Sequence, residues 1–223
     1  SIPVEYTTTP VFKGAALAMD SGCYCGYGND HHLNYHYQTI AHNTVTVTDP
    51  TDTLPMPVRQ GKKPRLIAND GGQRRIGSGW DLRPAPLDID DWRRNYDDFH
   101  TGRLVKVVEQ DGLLIALTDI TAAYTSEQTG AHSFHHRTRR VERAWRIFVY
   151  DRAADVLVVQ DTLESTRADF TKRWLLHTAL QPRIDGRNFV IERAPTAKVE
   201  GVPRLEGQVL FPRDARIVPI GGK

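Results

Sequence analysis

Cysteine is scarce in this chain, which contains two cysteines in 223 residues. Cys23 and Cys25 are separated only by Tyr24, a spacing that is too short for an ordinary structural disulfide. Two thiols are also too few for a four-cysteine zinc site. The sequence therefore excludes both kinds of cross-link through cysteine, and it leaves the redox compartment open.

Long apolar runs are missing as well. No stretch approaches the roughly 18 apolar residues of a membrane-spanning helix, so we expect no membrane partner. Residues 1–12 have neither the basic start nor the apolar stretch of a signal peptide. Because the chain begins without Met and enters strand-like sequence at once, we interpret it as a fragment of a longer protein.

Neither sign of charge dominates the sequence, since 29 Lys and Arg residues oppose 27 Asp and Glu residues for a net charge of +2. We predict no nucleic-acid partner. The basic residues cluster at 93–106 and 137–146. Such clusters can attract an acidic polymer, although runs of charge more often form a solvated face.

Amphipathic helices longer than a few turns are also absent, and the apolar pattern favours strands. Val45 and Val47 alternate with threonines, and several apolar runs flank short turn sequences such as Asp111-Gly112. The predicted hairpins pair 104–108 with 113–117, 147–149 with 156–159, and 174–176 with 189–191 around a turn at 185–188. A last strand is predicted at 209–211.

Regularly spaced strands with this many turns predict an all-β fold, an antiparallel β-sandwich that forms one domain over 1–223. Trp145 and Trp174 each lie within a predicted strand, so we expect both in the core. Residues 49–98 are rich in proline, glycine and charge, which predicts a long loop-rich excursion within the domain.

Histidine, tyrosine and aspartate crowd into one stretch near the start of the chain. Its members are Asp20, Tyr24, Tyr27, Asp30, His31, His32, Tyr35, His36, Tyr37 and His42. Such a stretch can supply the nitrogen and oxygen ligands that zinc accepts. No zincin motif with a general-base glutamate occurs, and loop histidines are more often merely solvated. Spacing alone therefore leaves metal binding as one option.

Three runs in the same region resemble the central β-domain of the heparinase II/III-like polysaccharide lyases. They are Lys-Gly-Ala-Ala-Leu-Ala-Met-Asp-Ser-Gly-Cys-Tyr at 13–24, His-Leu-Asn-Tyr-His at 32–36, and Thr-Ile-Ala-His-Asn-Thr-Val-Thr-Val at 39–47. Later segments at 141–146, 159–162 and 172–177 resemble successive sandwich strands of that family. The resemblance extends from about Lys13 to His177.

The resemblance implies roles for individual residues. Asp20, in the family's Asp-Ser-Gly motif, and His42, in its Ala-His-Asn motif, correspond to zinc ligands, and the zinc is expected to be structural. Tyr24 corresponds to a tyrosine that lines the substrate cleft. Tyr35 and His36 are further candidates for substrate binding, and packing beneath the loop is the alternative for them.

The chain also departs from the family pattern. Family members carry a His-x-His element upstream that supplies a catalytic histidine and a third zinc ligand, and residues 1–12 contain no histidine. The catalytic tyrosine of the family lies on a helical toroid domain still further upstream. We therefore expect the catalytic residues to lie outside this chain, the zinc site to be incomplete, and the chain alone to be inactive.

The function implied by the resemblance is cleavage of uronic-acid polysaccharides by β-elimination. It also implies an acidic polysaccharide as the partner and a periplasmic or secreted location. Two other functions stay open. The chain could be a non-catalytic carbohydrate-binding or structural sandwich in which Trp80, Trp92 and tyrosines stack on sugars. It could also be a cupin-like metal enzyme with the ligands His31, His32, His36 and His42.

Overall fold

The computed structural model of the chain describes most of its second half and parts of its first half. The described residues are 11–12, 14–21, 26, 29, 31, 35–36, 38–49, 53–55, 66–68, 71–73, 86–96, 100–124, 140–194 and 201–221. Within them the chain is mostly strand, and the strand pairs are antiparallel. The predicted all-β antiparallel fold is confirmed. No helix among these residues is long and apolar enough to cross a membrane.

The described strands and helices are short apart from four central strands. The strands are β1 Val11–Phe12, β2 Ala16–Ala18, β3 Val45–Thr48, β4 Thr53–Pro55, β5 Leu66–Ala68, β6 Arg103–Gln110, β7 Leu113–Asp119, β8 Val141–Asp151, β9 Val156–Ser165, β10 Thr171–Trp174, β11 Arg183–Asp185, β12 Asn188–Glu192 and β13 Arg204–Gln208. The helices are a 3₁₀ turn at Thr39–Ala41, α1 at Ile89–Arg94 and α2 at Thr121–Tyr124.

The largest sheet has the strand order β6-β7-β8-β9 and is a meander of hairpins. Asp111 and Gly112 form the first turn with φ angles of 50° and 83°, the left-handed pair that a two-residue hairpin turn requires. The second hairpin joins β8 and β9 around the turn after Asp151. Both of these predicted hairpins are confirmed.

The third predicted hairpin is wrong in its first strand. Asp185 pairs with Asn188 across Gly186 and Arg187, so the strand that enters this turn is β11 and not 174–176. Residues 171–174 instead form β10, which pairs with β3. The last strand is β13 rather than 209–211, and it pairs with β12. In a two-residue turn, the residues directly before and after the turn pair with each other. The strand that enters this turn therefore ends at Asp185, whereas the sequence interpretation placed that strand at 174–176.

The core lies between the β3–β10 pair and the first part of β8. Val45 and Val47 of β3 are buried in one cluster with Val141 and Ala144 of β8 and with the ring of Phe170. Tyr124, at the end of α2, closes the same cluster. Two sheets therefore share one apolar layer, and β3, which begins three residues after His42, is part of it.

The two tryptophans that were expected in the core are both exposed. Ala144 and Arg146 point inward and are fully buried, whereas Trp145 between them is 37% exposed and lies against the guanidinium of Arg143. Trp174 is also exposed, at 43%. The expectation that both tryptophans lie in the core was wrong. Trp145 is exposed because successive side chains of a strand face opposite sides of the sheet, and Trp174 belongs to β10, whose four residues are all exposed.

The excursion at 49–98 contains some regular structure where it is described. β4 and β5 pair with each other, and α1 begins after Asp88, whose carboxylate accepts a hydrogen bond from the Asp91 amide at 2.7 Å. Trp92 packs edge-on against Tyr96, with the ring centroids 5.1 Å apart. Trp80 lies outside the described residues.

Tyr124 is a buried polar residue in the apolar core, with 1% of its surface exposed. Its hydroxyl donates to the carbonyl of Val45 and accepts from the side-chain amide of Gln73 at 2.7 Å. Burial raises the pKa of this phenol to about 12. The ring thus ties β3 to α2 through a hydroxyl that stays protonated.

We expect Tyr124→Phe to lower the free energy of unfolding by about 1–3 kcal/mol at neutral pH, because two buried hydrogen-bonding partners lose their phenol. In the wild type the unfolded chain releases the phenolic proton near pH 10 and the folded chain near pH 12. Stability should therefore fall across this window by up to about 1.4 kcal/mol per pH unit. Urea denaturation at several pH values would measure both effects.

The matched control is Tyr150→Phe, since Tyr150 bonds to Asp155 on the exposed hairpin end. The control should keep the alkaline loss of stability, and Tyr124→Phe should flatten it. Equal alkaline slopes in wild type and Tyr124→Phe would contradict the role of the buried phenol.

Candidate functional site

Asp20 and His42 lie side by side in the structure. Nδ1 of His42 is 2.9 Å from Oδ2 of Asp20. Asp20 lies two residues after β2, and His42 caps the 3₁₀ turn that leads into β3. The Ser21 amide donates to the carbonyl of Ala41 at 3.0 Å, which brings the two segments together. Their assignment as zinc ligands stays a prediction.

Asn43 is the residue that organises this pair. It is fully buried, and its backbone amide donates to Oδ1 of Asp20 at 3.3 Å. Its side-chain oxygen accepts the backbone amide of His177 at 2.6 Å. Asn43 therefore fixes the turn from inside.

The ion pair between Arg146 and Asp161 is hydrogen-bonded to Asn43. Arg146 Nε lies 2.6 Å from Oδ1 of Asp161, and its Nη2 lies 2.9 Å from Oδ2 of the same carboxylate. Nη1 of Arg146 donates to the carbonyl of Asn43 at 3.2 Å. This bidentate pair between β8 and β9 is thereby joined to the turn that carries His42. The interpretation of 137–146 as a solvated basic face was wrong for Arg140 and Arg146, which are both fully buried.

Tyr35 lies on the other side of the pair. Its hydroxyl is 2.5 Å from Oγ of Ser21, the residue directly after Asp20. His31 is exposed, and its ring lies 5.3 Å from that of Tyr35. His36 is half-buried. Tyr24 and His32 lie outside the described residues, so their predicted places are not addressed by the structure.

His177 is a further residue at this site, and the sequence interpretation missed it. Burial lowers the pKa of its imidazole, and the charge of His42 lowers this pKa further. The neighbouring carbonyl of Ile40 and the charge of Asp20 act in the opposite direction and raise it. The ring is therefore neutral at neutral pH. The signal available in the sequence was its place at the end of the run 172–177, which resembles a strand of the family.

The donor set fits a metal ion in part. Asp20 holds Nδ1 of His42, and Nε2 of His42 is buried with no hydrogen-bond partner in the described part of the chain. A carboxylate behind a histidine whose second nitrogen is free is the usual support of a zinc-bound imidazole. As they stand, no three His, Cys, Asp or Glu side chains among the described residues form a group that could hold a metal.

Residues 11–210 match the family described as heparinase II/III-like, C-terminal. The chain belongs to this family. The match includes the Asp20–His42 pair, Tyr35, His177 and the Arg146–Asp161 pair, and it confirms the resemblance expected from the motifs. A search of curated proteins gave no match. The heparinase II/III-like domain thus relates the chain to the polysaccharide lyases.

Proposed function

We propose that this chain is the β-domain of a polysaccharide lyase that cleaves uronic-acid-containing polymers by β-elimination. The observation that carries the proposal is the hydrogen-bonded Asp20–His42 pair within a heparinase II/III-like domain. Tyr35 and Ser21 lie beside the pair and present hydroxyl groups suited to sugar binding. An acidic polysaccharide is the proposed partner, and a periplasmic or secreted location is proposed with it.

Elimination removes the proton beside the uronate carboxylate and expels the glycosidic oxygen. The reaction needs charge neutralisation at the carboxylate, a base for the proton, and an acid for the leaving oxygen. We assign none of the proton transfers to this chain. Asp20 and His42 would instead order the surface that forms one wall of the cleft, and Tyr35 would bind substrate there with Tyr24 and His36.

Zinc would reinforce this wall by cross-linking the segments after β2 and before β3. His42 would hold the ion through Nε2, the atom that has no hydrogen-bond partner among the described residues. Asp20 would hold the imidazole and its tautomer through Nδ1, or exchange that bond for the metal. The proposed cofactor is therefore structural.

The test is to incubate the complete protein with alginate and with heparan-type polymers and to follow the ultraviolet absorbance of the unsaturated product. Tyr35→Phe should lower kcat/KM by about 2- to 10-fold, the effect of one neutral hydrogen bond. Tyr150→Phe is the matched control and should be unaffected. Absence of product with every uronate polymer would reject the proposed function.

A further inference from the structure

β9 is an edge strand of the four-stranded sheet, because in the described part of the chain it pairs with β8 alone. The strand is ten residues long and contains neither proline nor glycine. Residues 156–160 pair with β8 in an unbroken register. The amides and carbonyls that point away from β8 along this stretch therefore form a regular row of hydrogen-bonding groups, which can pair with a further strand.

The side chains of this stretch also lack cover. Val156, Leu157 and Val158 are 47%, 41% and 41% exposed, and successive side chains of a strand face opposite sides of the sheet. Both faces of the sheet are consequently open beside β9. The stretch that ends at Gln160 is apolar up to that residue and carries no charge. An uncharged strand that paired here would meet no electrostatic repulsion.

The opposite edge of the same sheet is protected. β6 has an irregular register around Val105, and it carries the charges of Arg103, Lys106 and Glu109. Bulges and charged side chains are among the means by which proteins prevent pairing at a sheet edge. Of the two edges, β9 is therefore the one suited to accept another strand.

We propose that β9 is a dimerisation edge, and that it pairs with β9 of a second copy of this chain. An antiparallel pair about a two-fold axis at Val158 would place Leu157 opposite the partner's Val159. Val156 would lie opposite the partner's Gln160. Each pair is apolar or neutral, so the stretch is complementary to itself, as a two-fold interface requires. This inference goes beyond the lyase proposal and does not depend on it.

Two features limit the assembly to a dimer with a short paired segment. The next pair beyond Gln160 would set Asp161 opposite the partner's Asp155, and like charges directly opposite each other are destabilising. The two joined sheets would end in a protected β6 edge on each side, so no third copy could add. Because a short paired segment gives a small interface, we expect a dimer that dissociates on dilution.

The experiment is sedimentation equilibrium of the 223-residue chain, whose mass should rise with concentration from that of one chain to that of two. Val158→Lys and Val158→Glu should each weaken association by at least about 10-fold, because each places like charges opposite each other at the axis. An equimolar mixture of the two variants should associate again, since opposite charges then face each other. Val107→Lys, at a similarly exposed valine of β6, is the matched control and should associate like the wild type.

A second readout uses the unsubstituted chain and so does not depend on how a variant folds. As the concentration rises, the amides within 156–160 that point away from β8 should exchange their hydrogens more slowly, whereas the amides of β6 should not change. Circular dichroism verifies that each variant is folded.

A monomer at every concentration would overturn the inference. Association that neither Val158 variant weakens, or that Val107→Lys weakens equally, would overturn it as well, because the contact would then lie elsewhere. Failure of the mixed variants to associate would reject the two-fold pairing at Val158. The lyase proposal stands or falls separately, on product formation.

Discussion

Replacing Arg146 with methionine should lower the free energy of unfolding by about 3–5 kcal/mol, because the largely buried carboxylate of Asp161 would lose its bidentate partner. The Arg146 side chain that would be removed is itself fully buried. The carbonyl of Asn43 would also lose its donor. Chemical denaturation of both proteins at neutral pH measures the difference.

The double variant Arg146→Met/Asp161→Leu should recover much of this loss, since an apolar pair needs no compensating charge. Arg152→Met is the matched control, because Arg152 forms an exposed ion pair with Glu109 that should contribute about 0–1 kcal/mol. If Arg146→Met proved as mild as Arg152→Met, the buried pair would not be the support that the structure indicates.

The second large effect concerns catalysis. We expect the 223-residue chain alone to cleave uronate polymers at least about 10²–10⁴-fold more slowly than a version that also carries the helical domain of the family, because the loss of a positioned general acid or base usually has an effect of this size. No His-x-His element occurs in the sequence, and the family resemblance implies that the catalytic tyrosine lies on the helical domain. Parallel product assays on the two proteins would measure the ratio.

A second measurement tests whether the chain alone binds the polymer without cleaving it. If basic side chains such as Arg93 and Arg94 on the exposed face of α1 attract the polymer, affinity should weaken as salt rises, since screening shortens the range of exposed charges. Calorimetry at two salt concentrations would show this. Rapid product formation by the chain alone would place the proton-transferring groups within these residues and contradict the assignment.

Local turn chemistry made much of the fold predictable from sequence. Asp111-Gly112 between two apolar runs fixed the β6–β7 hairpin, and the polar turn after Asp151 fixed the next one. The partner of β10 was not predictable in this way. It pairs with β3, more than a hundred residues earlier, and no turn joins the two strands to mark their register.

The same distinction applies to the residues of the candidate site: those in local motifs were predictable from the sequence, and those placed by strand alternation or by distant contacts were not. Asp20 and His42 were chosen because they stand in recognisable motifs, and the structure brings them within hydrogen-bonding distance. Arg146 was missed because it belongs to a run of arginines whose members look alike in sequence, although alternation along β8 buries it. His177 was missed because its neighbours in space come from the start of the chain.

The bond between His177 and Asn43 joins residues that are 134 positions apart, and this has a consequence for the order in which the chain folds. Contacts between distant residues require closure of a long loop and form slowly, whereas hairpins such as β6–β7 and β8–β9 close within microseconds. The two hairpins should therefore form early in refolding, and the surroundings of Asp20 and His42 should become ordered only with the final collapse.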